Sequence, residues 1–336
     1  MADNSASGDA VERREIAIYR DVEIAECCIH KVPENLRKVN PGAYSPQLIS
    51  IGPYHLGEQV LAAMENHKKR YVDAFFHGLT LDQLEKFRNY IVTKQTKICY
   101  QYAEPIQLSP DVFLPMVLRD AIFIIELFLR VRFEHQGDFL LNEVWLGTIR
   151  RDLLLLENQL PYFVLEDLYN LAGQKASGNQ IPIINLAGRF FQLNRSHNRP
   201  LSSQRQDVKI NHFTDLYRFS LVEIPETPRF SLPMTTADAL PNVVKLKKSG
   251  VKPRWGKYLV EVKFNDRKTP LFNVVELEIP RFEITENTEC VIRNLMALEQ
   301  CHYPSETYIC SYIHLLTFLI KTEKDVDYFK FIVQQC

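Results

Sequence analysis

Two short polar segments of the chain contain carboxylates that could act as an acid and a base. Glu157 is followed by Asn158 and Gln159 after the apolar run 153–156, and Glu299 precedes Gln300. Paired carboxylates with separated pKa values serve hydrolysis and group transfer. Residues 157–159 lie where one predicted helix stops and another begins, which favours a structural role as caps of free backbone groups. The same interpretation applies to residues 64–67.

Nucleotide-binding and hydrolase signatures do not occur in the sequence. There is no Gly-x-Gly, so the usual dinucleotide fingerprint is missing. Gly52 and Gly57 have the separation of a phosphate-binding loop, but Glu58 and Gln59 follow where lysine and a hydroxyl residue are required. A carboxylate at that position repels phosphate. We therefore predict no catalytic residue and no cofactor.

The cysteines do not have the spacing of a structural metal site. Of the seven, Cys290, Cys301 and Cys310 lie near His302, but they are eleven and nine residues apart. Structural zinc sites use short Cys-x-x-Cys knuckles, and adjacent residues of a helix point in different directions. We predict reduced thiols and no metal.

A cluster of basic residues between 242 and 258 contains no acidic residue. Three interpretations remain open: a solvated face, contact with an anionic membrane leaflet, and nucleic-acid binding. The formal net charge of −1 disfavours nucleic acid, which we exclude as a partner. The membrane-surface candidates are Lys245, Lys247, Lys248, Lys252, Arg254 and Lys257.

Residues 173–210 form the least regular part of the sequence. They are rich in Ser, Asn, Gly and Pro, which is typical of surface loops, and they flank one short apolar helix. Loops carry binding specificity because they vary without disturbing a core. The partner-recognition candidates are Lys175, Asn179, Arg195, His197 and Arg199.

Composition and periodicity predict a helix-rich protein. The chain has 336 residues, 46% of them apolar and only 12 of them glycine. Helices are predicted at 58–76, 81–103, 111–134, 141–157, 162–172, 183–193, 286–301, 305–320 and 323–335. Alternating patterns at 258–265 and 271–278 predict a hairpin. The predicted fold class is α+β, predominantly α-helical, with a small antiparallel β hairpin or sheet in the C-terminal half.

The sequence predicts one large domain behind a short tail. Residues 1–10 are expected to be disordered, and residues 11–336 to form a single domain. Within it we expect an irregular Pro-rich arm at 29–57, a helical part at 58–172, the polar loops at 173–210 and an α+β part at 211–336. The most apolar segment, 112–129, is interrupted by Arg119, Asp120 and Glu126, so we predict a buried core helix and a soluble chain.

Several long segments resemble one plant family. The arm and its continuation contain Val-Pro, Asn-Pro-x-Ala-Tyr-x-Pro, Ile-Gly-Pro-Tyr-His and Met-Glu-x-His-Lys within 29–68. Residues 151–169, 212–216, 297–304 and 308–315 match in the same order, so the likeness covers 29–331. This pattern resembles the plant domain of unknown function 247 family.

The resemblance implies a role but no chemistry. Family members typically continue past a point like Cys336 into a hydrophobic membrane-spanning tail, which implies attachment to the plasma membrane in a full-length form. Some members resemble pollen-side self-incompatibility determinants of grasses. We therefore expect a non-catalytic recognition or signalling protein, with a hydrolase or transferase as the alternative. Expected partners are proteins, either another family member or a stigma-side determinant, together with weak contact to an anionic membrane surface.

Overall fold

The computed structural model describes residues 27–135, 137–173, 181–193, 209–222, 241–256, 262–268, 273–280 and 284–327. The predicted disordered tail, 1–10, lies outside these residues. The chain divides into two compact units, one of Met1–Gln192 with Arg199–Phe213 and one of Leu193–Asn198 with Thr214–Cys336.

The first unit begins with the arm, which has little regular structure. Residues 29–57 contain only the four-residue helix α1, Glu34–Arg37, and the 3-10 turn Pro41–Ala43. Pro33, Pro41, Pro46 and Pro53 prevent a longer helix or a central strand, because proline fixes φ and lacks the N–H donor. Several backbone groups of the arm therefore bond to side chains instead of to a helix or sheet partner.

Six longer helices follow among the described residues of this unit. They are α2 (Ala62–Phe76), α3 (Leu81–Cys99), α4 (Pro110–Arg132), α5 (Glu143–Asp152), α6 (Tyr162–Gly173) and α7 (Ile183–Phe190). At the start of α3, the Gln83 side chain accepts a hydrogen bond from the Thr80 N–H at 3.0 Å, and the two residues form a capping box. Helix predominance is thus confirmed.

Helix α4 is the centre of the first unit. Residues 121–125 are all 0% exposed, and α4 packs against α2, α3, α6 and α7. The predicted buried core helix at 112–129 is confirmed. Pro115 is the sixth residue of α4, past the first turn, so its missing N–H leaves the carbonyl of Asp111 without its usual helical donor.

The second unit combines short helices with a small sheet. Its elements are α8 (Phe213–Leu221, whose first residue belongs to the first unit), α9 (Val243–Lys248), β1 (Lys252–Gly256), β2 (Lys263–Lys268), β3 (Asn273–Pro280), α10 (Thr288–His302) and α11 (Tyr308–Leu319). Leu277 and Ile279 of β3 pack with Tyr312 and Leu319 of α11 in one core cluster.

The predicted antiparallel sheet is wrong. The described strands form a mixed sheet in the order β1-β3-β2, in which β1 runs parallel to β3 and β2 runs antiparallel to it. The Pro-containing segment Lys-Pro-Arg-Trp-Gly was not recognised as a strand, because proline disfavours a strand interior. Proline is tolerated at an edge, and β1 is an edge strand.

Candidate functional site

The five predicted recognition residues lie outside the described part of the chain. Lys175 and Asn179 fall in 174–180, and Arg195, His197 and Arg199 fall in 194–208. Their role stays a prediction. The site that the structure does describe is a set of buried polar side chains in the first unit that bind the arm; we call it the arm-binding network.

Asp152, at the end of α5, binds three successive arm residues. Its carboxylate accepts hydrogen bonds from the backbone N–H groups of Gln47 at 3.0 Å, Leu48 at 2.7 Å and Ile49 at 3.0 Å. Arg151 donates to it at 2.6 Å. Burial raises the pKa of Asp152 above its ordinary value, against the lowering effect of these donors. The carboxylate serves as a backbone acceptor.

Arg151 extends the same contact to the preceding turn. Its guanidinium donates to the carbonyl of Gly42 at 2.6 Å and to the carbonyl of Ser45 at 3.2 Å. The guanidinium has several donors in a planar fork, so one side chain can fix carbonyl groups three residues apart. Arg151 and Asp152 together therefore hold both donors and acceptors of the arm.

Asn158 binds the arm, and Asn158 and Gln159 together bind carbonyl groups at the end of helix α5 and just after it. Asn158 accepts from the Ile51 N–H at 2.7 Å and donates to the carbonyls of Ile49 and Asp152, both at 2.9 Å. The amide of Gln159 donates to the carbonyls of Leu153 and Leu155 at 2.7 and 2.8 Å.

These amides satisfy carbonyl groups that have no helical partner beyond Asp152. The structural role predicted for the junction is confirmed. The predicted continuation of the helix to residue 157 is wrong.

A buried ion pair binds the next arm residues. Lys68, 0% exposed, donates to Asp120 at 2.7 Å and also to the carbonyl of Ser50. The other Asp120 oxygen accepts from the Gly52 N–H at 2.9 Å. Burial raises the pKa of Asp120, opposed by Lys68 and by this N–H. The pair fixes residues 50 and 52, and Lys68 also binds Glu65 at 2.6 Å.

Glu157 binds the first part of the arm. Its carboxylate accepts from the Val32 N–H at 2.5 Å and from Arg37 of α1 at 2.5 Å. His55 lies with Nε2 at 3.9 Å from the other Glu157 oxygen, and its Nδ1 lies 2.6 Å from Glu58. Glu157 is therefore already bound by a cation and a backbone donor.

Glu299 has an analogous role in the second unit. It accepts from the N–H groups of Ile309 at 3.1 Å and Cys310 at 2.9 Å, which begin α11, and from Arg218 at 3.1 Å. Burial raises the pKa of Glu299, and the helix N–H groups and Arg218 oppose the rise. The predicted structural role is confirmed for Glu299. Acid or base catalysis by Glu157 or Glu299 would compete with these bonds.

The described cysteines are buried or half-buried and form no disulfide. Burial, together with the nearby Glu299, raises the pKa of Cys310 to about 12. Within the ranges that the structure covers, no group of three or more His, Cys, Asp and Glu side chains could hold a metal ion.

The predicted basic surface is partly neutralised by the sheet. Lys245, Lys247 and Lys248 of α9 and Lys252 and Arg254 of β1 are exposed, while Lys257 lies outside the described residues. Arg254 donates to Glu276 of β3 at 2.9 Å. In the parallel register Lys252 is paired with Glu276 and Arg254 with Glu278. The three lysines of α9 lie on exposed positions of one short helix.

Sequence reasoning missed the most connected members of the network, namely Lys68, Asp120, Arg151 and Asp152. Asp120 carried a usable signal, because a carboxylate inside a predicted buried helix needs a partner. Which partner it has depends on the packing of α2 against α4. The network can bind backbone rigidly, and its groups are already engaged in doing so.

Within the described ranges, no helix combines the length and the apolar character needed to cross a lipid bilayer.

Comparisons with known proteins identify relatives without a stated activity. A UPF0481 protein of Arabidopsis thaliana is 29% identical over 328 residues, which cover 90% of this chain and 67% of the relative. A second Arabidopsis protein with the UPF0481 name is 32% identical over 153 residues, covering 43% of this chain and 27% of the relative.

No solved structure matches the chain. The family model described as "Plant protein of unknown function" matches residues 29–331. The chain therefore belongs to the plant domain of unknown function 247 family.

Proposed function

We propose that this chain is a non-catalytic recognition domain that binds a protein partner and acts in signalling. The observation that carries the proposal is the arm-binding network, in which buried charged groups that could do acid–base chemistry are used to hold a proline-rich backbone. Such a scaffold presents surface residues in fixed positions.

We propose that residues in the polar loops of 173–210 determine which partner is bound. They contain Lys175, Asn179, Arg195, His197 and Arg199 in a segment of loop-forming composition. We further propose that full-length family members hold this domain at the plasma membrane. Pollen self-recognition is one candidate role, with another family member or a stigma-side determinant as partner. The family resemblance supports these points.

Exchange of the loop residues tests the proposal. Those five residues are replaced by the residues of a close relative, and partner proteins are identified by proximity labelling in plant tissue. We expect the labelled proteins to become those that the relative labels. The matched control replaces Glu85 and Arg88, which are exposed on α3. An unchanged set, with unchanged thermal stability, would place recognition elsewhere.

Two further variants separate recognition from catalysis. Glu157→Gln and Glu299→Gln remove carboxylates that a hydrolase or transferase would require. We expect a lower melting temperature and an unchanged partner set below that temperature, because both groups act on the backbone. The proposal would be contradicted if adding a substrate-like small molecule changed the set of bound partners, and if that set were lost in either variant.

A further inference from the structure

We propose that four side chains on the first unit form a docking surface for an acidic peptide segment that carries an apolar anchor residue. The four are Arg70 and His67 of α2, Trp145 of α5, and Phe139 in the segment before α5. Phe139 precedes α5 in the 3-10 turn Phe139–Leu141. We call this set the aromatic row. The inference rests on the proposed recognition function and names one partner chemistry for it.

The four side chains contact one another in sequence. The rings of Trp145 and Phe139 lie edge to face with centroids 5.8 Å apart, and the ring of His67 lies 4.8 Å from that of Phe139. Arg70 continues the row, with Nη1 at 3.2 Å from Nδ1 of His67. The result is a continuous surface with two aromatic hydrocarbon rings at one end and a guanidinium at the other.

The row is exposed. Phe139 and Trp145 are each 40% exposed, and the adjacent Val144 is 76% exposed. Single exposed apolar residues are ordinary, but neighbouring ones mark interaction sites more often. Aromatic residues and arginine also supply most of the strongest anchors in protein interfaces. The composition of the row fits a binding surface.

The row is held rigidly from below. Asp138 accepts from the Leu140 N–H at 3.1 Å, which fixes the turn containing Phe139. The same carboxylate binds the hydroxyl of Tyr71 at 2.7 Å and Arg130 at 2.6 Å. Leu140 is 0% exposed. A preorganised surface loses little side-chain entropy on binding, which favours affinity.

The free polar groups of the row are all donors. Arginine only donates, so Nδ1 of His67 accepts from Arg70, and Nε2 of His67 carries the ring hydrogen. The indole N–H of Trp145 donates only. Among the described residues, Arg70 has no carboxylate within ion-pair distance.

Two carboxylates close in sequence to Phe139 and Trp145 already have arginine partners. Asp138 is bound by Arg130, and Glu143 is bound by Arg150 at 3.0 Å. Since Arg70 has no carboxylate partner among the described residues, a bound peptide can supply one. Carboxylates beside an apolar side chain complement the row best, because guanidinium–carboxylate bonds are charge-assisted and the rings offer apolar contact.

The first experiment is a peptide array. It carries 15-residue peptides with several Glu or Asp and one Phe or Leu, and matched peptides in which Gln and Asn replace the acids. The best acidic peptides are then titrated in solution against the Trp255→Phe protein. Trp145 is then the only tryptophan of the chain, since the chain has two. We expect its fluorescence to change on binding, and affinity to fall as salt rises.

Variants locate the binding. Arg70→Glu and Trp145→Ala should each weaken the peptide by at least about tenfold, as expected for interface anchors. For Trp145→Ala, binding is read by anisotropy of a labelled peptide. Arg88→Glu, the same charge change on an exposed residue of α3, should leave the affinity unchanged. Equal melting temperatures confirm that the variants are folded.

Several outcomes would overturn the proposal. They are no acidic peptide binding below about 1 mM, equal binding of the neutral peptides, and an unchanged affinity in Arg70→Glu. Self-association that is lost in Trp145→Ala, without peptide binding, would mean that a second copy covers the row. If a partner found by loop exchange binds Arg70→Glu and Trp145→Ala as it binds the parent, the aromatic row is excluded while the recognition function stands.

Discussion

At the scale of single residues, the conformation of the arm depends on positions where glycine is favoured over every other residue. Gly52 has φ +74°, and a Cβ there would lie 2.5 Å from the carbonyl oxygen of Gln159 and 3.2 Å from the hydroxyl of Tyr102. Gly57 has φ +84° with open space around the same position. The two glycines share a backbone conformation but differ in their surroundings. Comparing alanine substitutions at the two positions therefore separates the cost of a steric clash from the cost of the backbone conformation.

Gly52→Ala should destabilise the protein far more than Gly57→Ala. The left-handed backbone costs alanine about 1 kcal/mol at either site. At residue 52 the clash adds backbone displacement, for which we expect a total loss of about 3 kcal/mol or more. Urea unfolding measures both. Equal losses would show that the arm moves away from Gln159 without cost.

Asp138 gives a pH-dependent test. Burial works to raise its pKa, but the hydroxyl of Tyr71, Arg130 and the Leu140 N–H hold the pKa below its ordinary value. The folded state therefore favours the carboxylate. That stability is present above about pH 4, the ordinary aspartate value, and is lost as the pH falls through the folded pKa.

Asp138→Asn should accordingly cost about 2 kcal/mol at pH 7, and the gap to the parent should shrink as the pH falls from about 4 towards 3. Unfolding free energies of parent and variant across that range measure the gap. Glu85→Gln, at an exposed position on α3, is the control and should give a small, constant difference. A gap that does not change with pH would mean that Asp138 is not held as a carboxylate.

At the scale of elements, side chains distant in sequence decide where helices and strands begin and end. Asp325 accepts from the Val244 N–H of α9 at 3.2 Å and from the Asn242 side chain at 3.0 Å. It also accepts from the Thr322 N–H at 2.9 Å and the Thr322 hydroxyl at 2.8 Å. One buried carboxylate thus joins the start of α9 to the segment after α11.

Asp325→Asn should loosen α9 and β1 together. Burial works to raise the pKa of Asp325, yet the Thr322 hydroxyl and the backbone donors lower it, so the fold favours the charged form. Loss of the charged carboxylate should lower the free energy of unfolding by about 1–3 kcal/mol.

Amide hydrogen exchange at residues 243–256 should become faster. Glu323→Gln, an exposed neighbour, serves as the control. If amide exchange at these residues is unchanged in Asp325→Asn, the hydrogen bonds of Asp325 are not what orders α9.

At the scale of the whole molecule, charge is arranged more evenly than the sequence pattern indicates. The stretch 242–258 contains no acidic residue, but β3 brings Glu276 beside Lys252 and Arg254. The exposed lysines of α9 remain. Each basic side chain near an anionic membrane surface contributes about 1 kcal/mol, and salt reduces that contribution.

We therefore predict weak, salt-sensitive binding of this chain to anionic vesicles. Sedimentation with phosphatidylserine vesicles should be slight at physiological salt and should vanish when Lys245, Lys247 and Lys248 become Glu. The same charge change at three exposed lysines elsewhere, Lys38, Lys69 and Lys86, should have a smaller effect. Tight binding that resists salt would mean that an amphipathic segment enters the membrane interface.

The sequence by itself determined the local features of this protein. Prolines barred regular structure in the arm, apolar periodicity marked α4 as a core helix, and the Glu-Asn-Gln segment indicated a helix junction. These properties depend on the conformational limits and packing faces of neighbouring residues. Long segments in a fixed order also identified the family.

Only the tertiary structure decided which groups meet. Lys68 binds Asp120 across 52 positions, and Asp152 binds Ile49 across 103 positions. The direction of β1 and the alignment of Phe139 with His67 likewise depend on packing between elements. Hydrogen bonds and ion pairs act over a few ångströms, and chain separation does not fix such distances, so a sequence pattern can require a partner without naming it.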